Sequence, residues 1–172
     1  MNFKIDKEML IEIQYGDEFT TQVEDGESDP YVGMRILAQD SYIYGSDNRV
    51  PKNWVTYLLN SLLESISDVV NTEKAVITNQ NGPSYFVIEP LNETEVSIAN
   101  VLTYDGIDDQ EERLPTTDSV TISTEAYITE IIRASKELYK RIVSANPNLT
   151  DSRNIKLLEG NLSQAKDTLE SK

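Results

Sequence analysis

Five carboxylates crowd one short stretch of this sequence: Asp105, Asp108, Asp109, Glu111 and Glu112. They are its first candidates for chemistry, because carboxylate oxygens are natural ligands of calcium and magnesium. Their spacing departs from the EF-hand loop, which needs acids at alternate positions and a glycine at the sixth. A run of charges of this kind is ordinarily solvated, so neither a metal site nor a cofactor is expected. A second acidic run, 24–29, is weaker still as a ligand set. Glycoside hydrolysis needs two acids flanking a cleft, one of them with a raised pKa. Glu89, between Ile88 and Pro90, is the one acid in a partly apolar context, and a strand-end position facing solvent is expected for it.

Other chemistries are closed by composition. The chain has no cysteine and no histidine. That removes disulfides, thiol catalysis, Cys-ligated metals and both the Ser-His-Asp and Cys-His nucleophile systems. It also removes the commonest general base near neutral pH. The seven glycines form neither a G-x-G-x-x-G loop nor a Walker motif,. Arg35, Arg49 and Lys52 could make a small cationic spot, but ordinary surface charge balance is the simpler reading.

Acids outnumber bases 30 to 15, for a formal net charge of −15 in 172 residues. Binding nucleic acid requires Lys and Arg to displace counterions from phosphates, and anionic lipid selects against such a surface in the same way. A basic protein is the natural partner of this field. Tyrosines at 31, 42, 44, 57, 85 and 104 lie in or beside expected strands and the first helix. Tyrosine offers a large apolar face with a polar tip, which suits interfaces. The expected partner-binding residues are therefore Asp105, Asp108, Asp109, Glu111 and Glu112, with Tyr42 and Tyr44.

The elements that must position these groups follow from periodicity. Phe3 and Ile5 alternate, and Met9, Ile11, Ile13 and Tyr15 continue a period of two. Residues 16–30 read as a polar loop, 31–37 and 41–44 as strands. A helix is expected from about Pro51 to Val70, with Trp54, Leu58, Leu62, Ile66 and Val69 on its core face. Strands at 74–78, 84–89 and 94–104 form an antiparallel meander, with Asn81-Gly82-Pro83 as one of its turns. A short strand at 120–122 precedes a helix that Ser123 or Thr124 caps and that ends before Pro147. A last helix, 151–169, carries Ile155, Leu158, Leu162, Ala165 and Leu169 at alternating steps of three and four. This narrow stripe fits a helical hairpin or a second copy of the chain.

The expected fold is α+β: a mainly antiparallel sheet of about five to seven strands packed against two or three helices. A mixed sheet with the first helix as crossover is the alternative. The chain reads as one domain, 1–172, within which 150–172 can stand as a peripheral C-terminal helix and a homodimer contact. A membrane span needs roughly 18 consecutive apolar residues, and no stretch approaches that. The N-terminal residues carry charge where a signal peptide would be apolar, so the cytoplasm is the expected location.

The segments Val50-Pro51-Lys52-Asn53-Trp54 and Ser84-Tyr85-Phe86-Val87-Ile88, with a closing helix over 127–143, resemble in layout small α+β immunity proteins of bacterial toxin–immunity systems. The resemblance spans about residues 50–145 as an arrangement. It implies an acidic inhibitor that binds a basic toxin domain, and it carries no functional residue over. Together these readings point to a non-catalytic acidic binding or inhibitor protein that docks on a basic protein. The alternatives are a salt-adapted soluble protein, a carboxylate- or divalent-metal-dependent enzyme, and a DNA mimic.

Overall fold

Two blocks of alternating apolar and polar residues give two antiparallel sheets, and helices with apolar stripes close over them. The computed structural model describes residues 7–113 and 119–171. The first sheet holds β1 (Met9–Ile13), β2 (Tyr31–Ala38), β3 (Ser41–Tyr44) and β4 (Lys52–Trp54). Strand β2 is its spine: β1 runs along one edge, while β3 and β4 share the other. The second sheet is a meander of β5 (Ala75–Asn79), β6 (Ser84–Pro90), β7 (Glu95–Val101) and β8 (Val120–Ser123). Four helices complete the fold: α1 (Asp17–Glu24), α2 (Val55–Val70), α3 (Thr124–Ala145) and α4 (Arg153–Glu170).

The α+β class and the antiparallel pairing match the sequence reading, but the strands form two four-stranded sheets instead of one. Helix α2 links them in sequence and buries Leu58, Leu59, Leu62, Leu63, Ile66 and Val69. Each such side chain contributes about 1.5–3 kcal/mol before conformational entropy is counted. The two sheets are also tied by neutral hydrogen bonds. Asn53 Nδ2 on β4 donates to Asn79 Oδ1 on β5 at 2.9 Å and to Tyr44 Oη at 3.3 Å, and Asn79 Nδ2 donates to Ser84 Oγ at 3.0 Å. A second tie runs from the start of β1. Ser123 donates its amide and hydroxyl to the Glu8 carboxylate, and its hydroxyl oxygen caps α3 by accepting from Ala126 N.

Several expectations need correction. Residues 16–30 are not all loop, because Phe19 and Val23, four apart, give α1 a buried face,. The acidic run 24–29 does structural work: Asp29 Oδ1 accepts from Thr56 N at 2.8 Å and Tyr57 N at 3.2 Å, capping α2,. Burial holds the Asp29 carboxyl above the usual carboxylate range, against the two amide donors,. Helix α2 starts at Val55, since Lys52–Trp54 pairs with β2 first. Trp54 is therefore not core. It is 38% exposed, with its ring 4.9 Å from that of Tyr31. The stripe on α4 is spent inside the chain: Ile155, Leu158, Leu162 and Ala165 are buried in the main core, where α4 packs against α2 and α3. The expected alternation at Phe3 and Ile5 lies outside the described residues. Among the described residues, no helix is long and apolar enough to cross a membrane.

Candidate functional site

Strict alternation sorts the side chains of the second sheet onto two faces. Phe86, Ile88, Val96, Ile98 and Ile122 point into the main core. Val87, Ala99 and Val101 point the other way and form a small separate cluster with Ile107, against which Tyr85 packs. Ile107 belongs to the connection after β7, residues 102–113. This acidic stretch thus folds back as a strap over the outer face of the sheet, instead of trailing in solvent.

The strap is fastened by cations. Lys74 Nζ, just before β5, donates to Ile107 O at 2.5 Å and to Asp108 Oδ1 at 2.9 Å. Arg113 Nε donates to Gly106 O at 2.7 Å. Both cations reach Glu89 Oε1, Lys74 at 3.5 Å and Arg113 at 3.4 Å. Glu89 is therefore a half-buried anchor of the strap, not the free solvent-facing acid expected at a strand end. Close approach also needs a glycine. A Cβ on Gly106 would stand 2.7 Å from Val101 Cγ1, inside contact distance,. Two 3-10 turns, Asp105–Ile107 and Gln110–Glu112, shape the backbone, the second capped by Asp109 Oδ1 accepting from Glu111 N at 2.9 Å.

The strap brings together the five acids singled out from the sequence. Asp105, Asp108, Asp109, Glu111 and Glu112 are all exposed along it. They do not converge: among the described residues, no group of three or more acids is arranged to hold a metal ion. Beside them, Tyr104 is 75% exposed and Leu102 is 44% exposed, with the Tyr104 ring edge-on to Tyr85 at 6.2 Å. The surface is an acidic rim next to an aromatic and aliphatic patch.

The two tyrosines assigned to this surface behave differently. Tyr44 is buried, with its ring edge-on to Phe86 at 5.7 Å and its hydroxyl accepting from Asn53. It is a core residue and is removed from the partner-binding set. Tyr42 is half-buried, donates to Asp47 Oδ1 at 2.9 Å, and has the Arg35 guanidinium over its ring. Arg35 is itself paired with Glu12 at 2.5 Å, and Lys52 pairs with Glu18, so the supposed cationic spot is neutralised. Tyr104, which the sequence offered only as one of six tyrosines, is the exposed one among them.

No family model, curated protein or solved structure matches the chain.

A second feature had no counterpart in the sequence reading. Cations gather on the outward face of α3, at Arg133, Lys136, Lys140 and Arg141, where they line an open groove of about 1030 Å³. Their positions, i, i+3, i+7 and i+8, mark one helix face, and that spacing was the available signal.

Proposed function

We propose that this protein is a non-catalytic binding protein of the inhibitor type, which docks its acidic strap on a basic protein partner. The observation that carries the reading is the strap itself: five exposed carboxylates held on the outer sheet face by Lys74, Arg113 and Ile107, beside the exposed Tyr104 and Leu102. An aromatic anchor next to a charged rim is the usual anatomy of a protein-docking surface. A fastened backbone loses less entropy on binding than a free acidic tail. The five acids speed encounter with a basic surface and make it salt-dependent. The layout likeness to immunity proteins agrees with this reading, as does a chain without histidine or cysteine. We place its action in the cytoplasm. A homodimer through α4 would have to use the helix face opposite the buried stripe.

Affinity capture from a lysate of the source cell tests this, run in parallel with a strap variant, D105N/D109N/E111Q/E112Q/Y104A. The expected result is a basic protein retained by the unmodified chain, released by rising salt, and lost with the variant. Equal retention by both proteins would sink the reading.

A further inference from the structure

The net charge of −15 hides a concentration of the opposite sign. Four of the chain's 15 cationic residues, Arg133, Lys136, Lys140 and Arg141, line one groove on α3. A smaller groove of about 570 Å³ continues from it, sharing Lys136 and Lys140 and adding Lys166 of α4. Among the described residues, Lys136, Lys140 and Lys166 make no ion pair. Elsewhere in the chain, cations such as Arg35, Lys52, Lys74 and Arg113 are spent on neighbouring acids.

Arg133, which lines the groove, is held in place by residues outside it. Glu130, 3% exposed, accepts from Ile11 N at 3.3 Å and from Arg133 Nε at 2.6 Å. Arg133 also donates to Ile11 O at 2.8 Å and to Glu137 at 2.9 Å, which locks α3 to β1. Tyr15, just after β1, forms one wall, with the Arg141 guanidinium 4.7 Å over its ring and Phe19 of α1 edge-on at 4.9 Å. Its hydroxyl has no hydrogen-bond partner among the described residues. Ile132 and Leu169 add apolar surface. Glu137 is the one acid lining the larger groove, and Glu159 is the one lining its smaller continuation.

We propose that this groove binds a short acidic peptide segment carrying apolar side chains, presented by a partner protein. Charge complementarity gives the sign of the ligand: the two unpaired lysines stand one helical turn apart, about 6 Å along α3, and meet successive carboxylates. The apolar walls call for side chains that a bare anion lacks, and a single small anion would leave most of about 1030 Å³ unfilled. A nucleic acid fits less well. The Arg141 guanidinium already occupies one face of the Tyr15 ring and Phe19 packs edge-on beside it, so a base has less of the ring to stack on,. The acidic remainder of the surface repels a long polyanion and tolerates a short segment. The proposal is independent of the strap reading, since it uses another face, other residues and a partner of opposite charge.

Fluorescence anisotropy with a fluorescein-labelled peptide of about ten residues, glutamate interspersed with leucine, tests it. The unmodified protein is expected to bind saturably. K136E/K140E should weaken binding at least tenfold with an unchanged circular dichroism spectrum, and K136R/K140R should retain it. The strap variant should bind as tightly as the unmodified protein, which separates failure of this proposal from failure of the strap reading. Equal binding by K136E/K140E would overturn the proposal. So would equal or tighter binding of a labelled oligothymidine or of a lysine–leucine peptide. Sedimentation equilibrium showing a dimer that K136E/K140E dissolves would also overturn it, because the occupant would then be the strap of a second copy.

Discussion

The acidic strap and the basic groove are built in opposite ways. The strap adds its own Ile107 to three buried residues of the sheet's outer face, Val87, Ala99 and Val101, and is fastened by Lys74 and by its own Arg113. The groove is carved into the main core, and its cations stand on a helix whose other face holds Ile128, Ile131, Leu138 and Ile142. Charge that is added to a finished sheet face can be lifted off again. Charge that shares a helix with the core cannot move without disturbing the core. The acidic surface is thus the separable part of the molecule and the basic surface the integral part.

Glu130→Ala is the strongest test of that contrast. It leaves Ile11 N without its buried acceptor and Arg133 with only Glu137 and Ile11 O; because Arg133 is one-third exposed, the cost should sit at the low end for a broken buried pair, about 3 kcal/mol,. Urea unfolding should show the full loss; a cost no larger than that of a strap substitution would erase the contrast. Ile107→Ala should cost about 2 kcal/mol, at the low end for such truncations because the cluster is small. Hydrogen exchange should then speed up across 102–113 and leave α3 protected.

Alkaline pH gives a third test, specific to the groove. Burial, and secondarily Glu137, pushes the Tyr15 hydroxyl above the ordinary tyrosine range, with Arg141 and Arg133 acting the other way,. A raised folded pKa means that the fold favours the protonated form. The stabilisation is present below the unfolded pKa of about 10 and is lost as pH rises above it. Tyr15→Phe should be near neutral at pH 7, because the hydroxyl it removes has no partner,. It should reduce the loss of stability above pH 10 by about 1 kcal/mol. Some loss should remain, because the buried Tyr127 hydroxyl is pushed up in the same way. Lys74→Ala is the mildest change, about 1 kcal/mol or less for a partly exposed pair,. Its signature is faster exchange at 102–113 with almost no change in the urea midpoint.

Long periodic segments were legible in the sequence. The stripes of α2, α3 and α4, the meander and the Ser123 cap all came through, because 3.6- and 2-residue periods survive any tertiary context. Helix α1 did not, since Phe19 and Val23 are its only large apolar residues and polar residues surround them. Trp54 was misplaced because it continues the α2 stripe in sequence while sitting one position before the helix begins. The strap's acids were found by crowding alone, whereas its fastening depends on Lys74, more than 30 residues earlier, which no local pattern reveals. The groove was missed for a related reason. Its cations look like an ordinary solvated helix face until Tyr15, over 100 residues away, is set against them.

The amide link from Asn53 to Asn79 that joins the two sheets carries no net charge on either side. Ionic strength therefore has little purchase on that joint, while it acts directly on both charged surfaces. Salt should thus screen the two charged surfaces while leaving the Asn53–Asn79 joint closed,.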